Sequence, residues 1–295
     1  PSKIYLTVEE EVQSFVESAI EKYYFELNCN NIIAVVQNAE NGFISALASY
    51  PKNLINLMPL EFVYEPGSTF KTIVLSAAFE EKAIKEDDYI DCENGAWKVN
   101  SKHTITDHEP LKTIKLTELY NHSSNIGFAK IGLKIGIEKL YPYIKKFGFD
   151  SRYTSFPGES KGIVKDFKRY RDIDTITTSY GYGIAVTPLQ LINAYTAVAN
   201  DGVLIKPQII YAIEDGEKRV EAAREEIRRV ISEETARRVK DMMIGVVEAG
   251  TGIKAQIPGY FIAGKTGTAN KLDPKTGKYI KGANISSFCG FFPVK

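Results

Sequence analysis

The apolar positions of this chain change period along its length, and each change marks an element. Over residues 7–27 they recur at helical spacing: Val8, Val12, Phe15, Val16, Ala19, Ile20, Tyr23, Tyr24 and Leu27 form one stripe, with Thr7 placed as N-cap and Glu9 to Glu11 in the first turn. Two short apolar runs, 32–37 and 43–49, flank a turn cluster ending in Asn41-Gly42, which predicts an antiparallel hairpin. A loop over 50–67 leads to a continuous apolar helix from Ser68 to about Ala83.

Beyond residue 85 the pattern breaks into small pieces. Short strands around Trp97 and Thr104 precede helical segments at 114–121, 124–135 and 137–147, punctuated by Gly136, Gly148, Pro157 and Gly158. Residues 188–199 read as a helix with Pro188 in its first turn and Gly202 past its end, followed by a strand over 203–210. Ser232 opens another helix closed by Gly250, and residues 260–268 and 284–292 read as two strands joined by a polar hairpin containing Asp273-Pro274. Helix, hairpin, helices and then strands give an α+β order rather than a regular alternation of strand and helix. The fragmented stretch 85–185 reads as a helical lobe inserted between the two parts of an α/β body, 1–84 and 186–295.

Composition narrows the function classes. Lys+Arg and Asp+Glu both number 37, so the net charge is zero, which argues against a nucleic-acid surface. No apolar run reaches the length of a membrane span and no signal peptide is visible; the chain opens on Pro1 rather than Met, as a fragment or processed chain would. Cys29, Cys92 and Cys289 are too few and too scattered for a disulfide framework or a zinc site, and His103, His108 and His122 have no metal-ligand spacing. No cofactor is expected.

The candidate chemistry starts at Glu65-Pro-Gly-Ser-Thr-Phe-Lys71. Ser68 and Lys71 stand one helical turn apart on the same face, at the start of a buried helix. Burial and the helix N-terminus lower a lysine pKa, so a neutral Lys71 could take the proton of Ser68 without a histidine. Ser49-Tyr50-Pro51-Lys52 has the same spacing, but Pro51 forbids the helix that would align the pair. Ser123-Ser124-Asn125 lies between two helical pieces, where Ser123 and Asn125 can point together into a cleft. Lys265-Thr266-Gly267-Thr268 follows an apolar strand run, and Gly267 permits close backbone approach. Its look-alike Lys275-Thr276-Gly277 reads as a hairpin turn without catalytic role. Each triplet alone is weak, since a Ser or Asn more often caps a helix.

The three together form the set S-x-x-K, S-x-N and K-T-G, and on them the chain resembles the penicillin-binding proteins. Ala46-Leu-Ala-Ser-Tyr-Pro51, Phe156-Pro-Gly-Glu159 and Tyr180-Gly-Tyr-Gly-Ile-Ala-Val-Thr-Pro-Leu-Gln190 extend the similarity toward the class B, monofunctional transpeptidases, most of all their septal, cell-division branch. The resemblance implies an antiparallel sheet of about five strands with helices on both faces plus an all-helical lobe, the site lying between them.

It also implies that Ser68 attacks the penultimate D-Ala carbonyl of a peptidoglycan stem peptide and expels D-Ala, the acyl group passing to an amine of a neighbouring stem. Lys71 is then the base, Ser123 the proton relay, Lys265 the group holding the local field, and Asn125 a ligand of the substrate amide and of Lys71. Thr266 and Thr268, with Gly267 between them, hold the terminal carboxylate. The N–H groups of Ser68 and Thr268 form the oxyanion hole, worth about 3–4 kcal/mol per donor. β-Lactams are implied as covalent ligands, divisome membrane proteins as partners, and an inner-membrane anchor with the catalytic domain in the periplasm as the location. Against the family pattern, the stretch between Pro51 and Glu65 is short, and a further strand and helix beyond Lys295, an anchor and an N-terminal pedestal are missing.

Three other activities fit the same triplets. A serine β-lactamase would need a glutamate to activate water, for which Glu118 and Glu159 are candidates by position alone. A D-Ala carboxypeptidase would use water as acceptor, and a non-catalytic penicillin sensor would keep the fold without turnover.

Overall fold

The computed structural model describes residues 2–52, 57–154, 156–273 and 276–294. Strand β1 (Lys3–Leu6) leads into helix α1 (Glu10–Leu27), then the hairpin β2 (Ile32–Gln37) and β3 (Ile44–Tyr50), paired antiparallel with Ala34 opposite Ala48. Thr7 does not cap α1. Its N–H reaches Ile209 O at 2.8 Å and its hydroxyl donates to Ile44 O at 2.8 Å, so it ties β1 to the hairpin, and Glu9 stands at the cap without a side-chain bond. The expected stripe is only partly covered: α1 packs on β3 and buries Ile20, while Phe15, Tyr23 and Leu27 are exposed among the described residues.

After the short helix α2 (Met58–Glu61) comes a 3-10 turn, Gly67–Phe70, running directly into α3 (Lys71–Glu80). The continuous helix expected from Ser68 to about Ala83 thus begins with a tighter turn and ends three residues early, where Lys82 takes a left-handed backbone. Every α3 residue from Lys71 to Phe79 is buried, as befits a helix apolar on all sides. It packs against α5 (Asn125–Ile135), α6 (Ile137–Lys146) and α9 (Glu233–Ala249), and Phe70, Ile73, Val74 and Phe79 share one core with Leu119 and Phe128.

Between α3 and α5 lie four short strands, β4 (Tyr89–Asp91), β5 (Ala96–Lys98), β6 (Thr104–Thr106) and β7 (Thr113–Lys115), and helix α4 (Leu116–Asn121). β5 pairs with β6 as the strands around Trp97 and Thr104 predict. β4 pairs with β7, so the helix expected over 114–121 starts only at Leu116. Helix α7 (Asp172–Ser179), polar and threonine-rich, precedes α8 (Pro188–Ala199). Pro188 occupies the first turn, matching the sequence expectation, and Thr187 and Gln190 add a capping box.

The strand expected over 203–210 is divided. β8 (Val203–Ile205) pairs with β11 (Glu226–Arg229), Pro207 interrupts the run for want of an N–H, and β9 (Ile210–Asp215) pairs with β1 and with β10 (Lys218–Glu221). α9 opens on Ser232, whose hydroxyl accepts from Thr235 N, and closes at Gly250. The last hairpin is longer than expected: β12 (Ala263–Leu272) pairs along its length with β13 (Tyr279–Phe291). Its tip residues Pro274 and Lys275, with Pro1 and Lys295, lie outside the described residues.

The architecture is α+β, with antiparallel ladders and flanking helices. Among the described residues the ladders are two- and three-stranded, and α8 packs on both β2 and β13. No helix there is long and apolar enough to cross a membrane, and no cluster of metal-ligating side chains is found.

Candidate active site

Four backbone pieces converge at the start of α3. The 3-10 turn carries Ser68, α3 carries Lys71, the turn between α4 and α5 carries Ser123 with Asn125 opening α5, and β12 carries Lys265 to Thr268. Glycines permit the close approach. Gly67 has a φ of +54°, and a Cβ there would meet Thr268 O at 2.9 Å. A Cβ on Gly267 would meet Ser287 Oγ at 2.7 Å, Thr69 Cγ2 at 2.9 Å and Pro66 O at 3.0 Å. Strand and nucleophile turn therefore touch through backbone.

Lys71 Nζ lies 3.0 Å from Ser68 Oγ, 2.6 Å from Ser123 O, 3.2 Å from Ser123 Oγ and 2.8 Å from Asn125 Oδ1. Two of these neighbours, the Ser123 carbonyl and the Asn125 amide oxygen, can only accept. A neutral amine places its two hydrogens there and keeps its lone pair for a hydroxyl. Lys71 is fully buried, and burial first, then the charge of Lys265, hold its pKa well below the usual ammonium range, with Asp107 acting the other way. Lys265 is also fully buried; its Nζ donates to Ser123 Oγ at 2.8 Å and Thr266 O at 3.1 Å, and burial pushes its pKa down to about 7.

Ser123 has a φ of +61°, a strained backbone for a serine. Asp107, just beyond β6, holds that turn from outside: its carboxylate accepts from Ser124 Oγ at 2.5 Å, Asn125 N at 2.5 Å and Ile126 N at 3.1 Å, and Asn125 Nδ2 donates to Thr106 O at 3.1 Å. Ser124, the middle residue of the triplet, caps α5 by accepting from Gly127 N. The function of S-x-N is thus split: Ser124 and Asp107 cap, while Ser123 and Asn125 face the amines.

The structure brings together Ser68, Lys71, Ser123, Asn125 and Lys265, and sets Gly267 and Thr268 against the Ser68 turn. Thr266 points to another partner, the hydroxyl of Thr251 at 2.5 Å. Thr251 follows α9, and its N–H donates to Asn121 O at 3.2 Å. Sequence reasoning missed Thr251, Asp107 and a lip of aromatic residues. Along that lip Glu65 accepts from Gly183 N at 2.7 Å and from Tyr279 OH at 2.9 Å, and Tyr182 stands between the rings of Tyr180 and Tyr279. Burial raises the Glu65 pKa against those two bonds. Only the Tyr180-Gly-Tyr-Gly183 run carried any signal of this in the sequence.

The remaining candidates lie elsewhere. Ser49 sits in β3, so its pairing with Lys52 has no helix, and Lys52 bonds Glu17 instead. Thr276 and Gly277 belong to the β12–β13 tip, where Gly277 N donates to Asp273 O. His122 faces Glu109 at 3.0 Å. Glu159 spends its carboxylate on Tyr153 N, Thr154 N and Thr154 Oγ1, and Glu118 is exposed on α4; neither is bonded to the lysine–serine cluster.

Comparison with known proteins identifies the family. The family described as penicillin binding protein transpeptidase domain matches residues 32–295. Stage V sporulation protein D of Bacillus subtilis is 34% identical over 98% of this chain and 47% of its own length. Penicillin-binding protein PbpB of Mycobacterium tuberculosis is 30% identical over 98% of this chain and 46% of its own length. The chain spans about half the length of the curated relatives it matches. Penicillin binding protein 3 from Mycobacterium tuberculosis, solved in complex with ampicillin, superposes with a TM-score of 0.91 at 29% identity, covering 98% of this chain and 69% of that one. The apo transpeptidase domain of Burkholderia pseudomallei penicillin-binding protein 3 gives 0.87 at 29% identity, covering 98% and 83%. Triplets, fold and relatives meet in one place: the chain belongs to the penicillin-binding protein transpeptidase family, on its class B branch.

Proposed function

We propose that this chain is the catalytic domain of a serine D,D-transpeptidase that cross-links peptidoglycan stem peptides and is acylated by β-lactams. One observation carries the reading: Lys71 Nζ stands 3.0 Å from Ser68 Oγ with two acceptor-only oxygens to take its hydrogens. Its lone pair is thereby aimed at the hydroxyl.

Ser68 Oγ attacks the penultimate D-Ala carbonyl and its proton passes to Lys71. The oxyanion is received by the N–H groups of Ser68 and Thr268, whose backbones touch through Gly67. Ser123, between both amines, gives its proton to the leaving nitrogen and recovers one from a lysine; D-Ala departs with the former amide nitrogen. An amine of a second stem then attacks the ester, Lys71 takes its proton and passes it to Ser68 Oγ, and the Ser68 hydroxyl leaves as the new amide forms. Asn125 orders Lys71 and the substrate amide, and Thr266 and Thr268 hold the terminal carboxylate.

Residues 85–185 act as the lobe forming one wall of the cleft, and 1–84 with 186–295 as the body forming the other. A septal role, divisome membrane partners and an inner-membrane anchor placing this domain in the periplasm belong to the same reading, whose D,D-transpeptidase part the names of the relatives support.

Intact-protein mass after incubation with benzylpenicillin tests it. A stable adduct on Ser68, absent in Ser68→Ala, is expected. Rapid drug turnover would make the protein a β-lactamase, and a folded protein with no adduct would overturn the nucleophile.

A further inference from the structure

Beneath the nucleophile lies a chain of buried hydroxyls that the reaction as described does not use. Tyr120 OH is 2.8 Å from Thr72 Oγ1, which is 2.7 Å from Tyr195 OH, and Tyr195 OH donates to Thr69 O at 2.7 Å. Thr72, Tyr120 and Tyr195 are essentially inaccessible. Burying a hydroxyl costs stability unless it is bonded, and Val or Phe would fill the same space without that demand. Three of them in one core suggest a task other than stability.

The direction of the chain follows from its end. A carbonyl only accepts, so Tyr195 spends its single hydrogen on Thr69 O. Tyr195 must then accept from Thr72, and Thr72 from Tyr120. The dipoles run one way, Tyr120 to Thr72 to Tyr195 to the Thr69 carbonyl, and such alignment strengthens each bond.

The endpoints give the chain its meaning. Thr69 follows Ser68 in the 3-10 turn, so a bond to its carbonyl pins the Thr69–Phe70 peptide one residue beyond the nucleophile. Thr72 follows Lys71 in α3. Tyr195 comes from α8, outside all three motifs. We propose that Tyr195, backed by Thr72, is a positioning residue that anchors the Ser68 turn relative to Lys71 for acylation. The proposal rests on the reading of Ser68 as the acylated serine.

Single-turnover acylation by a fluorescent penicillin, followed from limiting to saturating drug, tests this in Tyr195→Phe, Thr72→Val, Thr72→Ser and Tyr120→Phe. Tyr195→Phe frees the Thr69 carbonyl and is expected to lower the saturating rate about ten-fold, since sub-ångström misplacement of a nucleophile already costs rate, with the half-saturating concentration little changed. Thr72→Val is expected to cost less, because Tyr195 still reaches Thr69. Thr72→Ser retains the hydroxyl and the wild-type rate. Tyr120→Phe removes only the first donor and costs least. The double variant Tyr195→Phe with Thr72→Val is expected to be no slower than Tyr195→Phe alone.

Circular dichroism and melting temperature accompany each variant. A Tyr195→Phe protein that melts lower but acylates at the wild-type saturating rate overturns the positioning role and leaves a structural one. Equal losses for all four variants, with no rescue by serine, overturn it as well. A wild-type protein that acylates sets the reading of Ser68 apart from these outcomes, and one that fails to acylate removes both.

Discussion

Ser123 Oγ sits between two buried amines, 2.8 Å from Lys265 Nζ and 3.2 Å from Lys71 Nζ. Two ammonium groups cannot both persist against one hydroxyl in a dry cleft, because each charge disfavours the other and burial disfavours both. Burial lowers Lys265 to about 7, and burial followed by the Lys265 charge holds Lys71 well below the usual lysine range. Protonating the pair removes the base. The acylation rate by benzylpenicillin is expected to fall only at a pH well below the ordinary lysine range, where Lys71 takes up its proton, and to stay level up to pH 9. Stopped-flow rates over pH 5.5–9.5 check this, and a rate that climbs only in the ordinary lysine range would count against it.

The same burial makes Lys265 a stability cost. The folded state holds its proton less tightly than the unfolded chain does, so between about pH 7 and the unfolded lysine range near ~10.4 the unfolded state binds more protons and stability rises with pH. Lys265→Met removes the cost. The variant is expected to be inactive yet more stable than wild type, by on the order of 1 kcal/mol or more at pH 7, with the gain shrinking toward pH 10. Urea denaturation at both pH values measures it.

Asp107 caps α5 and opposes the lowering of the Lys71 pKa. Asp107→Asn keeps an oxygen for Asn125 N and Ile126 N but removes the charge, so the acid limb of acylation is expected to move to lower pH with little loss of stability. Asp107→Ala abandons those N–H groups and is expected to cost about 1–2 kcal/mol of stability. Two pH profiles and two denaturation curves separate the roles of cap and charge.

Gly267 tests the backbone contact between β12 and the Ser68 turn. A Cβ at this position would meet Pro66 O at 3.0 Å, and that backbone oxygen has no rotamer to escape into. Gly267→Ala is expected to slow acylation about a hundred-fold by displacing the strand from the nucleophile, with only a modest fall in melting temperature. Acylation within two-fold of wild type would show the contact to be dispensable.

These residues also show why some of the site was legible in the sequence and some was not. Ser68 and Lys71 are close in sequence and share a helical face, and Lys265 and Gly267 share a strand face, so local periodicity already aims them. α8 could be read because Pro188 and Gly202 bracket one continuous apolar run. Asp107 and Thr251 reach the site from a strand end and a helix end, and an Asp or Thr in such a place is ordinarily a cap. Thr7 failed in the opposite sense, since it looks like a cap but bonds Ile44 O across the fold. α7 escaped because its threonines blur the apolar period, and β10 and β11 because exposed charges dominate them, whereas β1 and β9 are short apolar runs whose strand character rests on their pairing with each other.

Thr251 is where such a distant contact reaches Thr266, the residue proposed to hold the substrate's terminal carboxylate. Its hydroxyl pairs with Thr266 Oγ1 at 2.5 Å, and its N–H donates to Asn121 O, two residues before Ser123, so it joins both walls of the cleft. When a carboxylate accepts from Thr266, Thr266 in turn accepts from Thr251, because the carboxylate offers no hydrogen. Thr251→Val removes the donor behind Thr266 while leaving Ser68 and Lys71 untouched. For a D-Ala-D-Ala peptide acid it is expected to raise KM about ten-fold with kcat nearly unchanged, as loss of one hydrogen bond behind the carboxylate's donor would. Thr251→Ser should restore the wild-type value. A peptide amide, lacking the carboxylate, should not distinguish Thr251→Val from wild type; an equal KM rise for acid and amide would mean that Thr251 only holds the walls together.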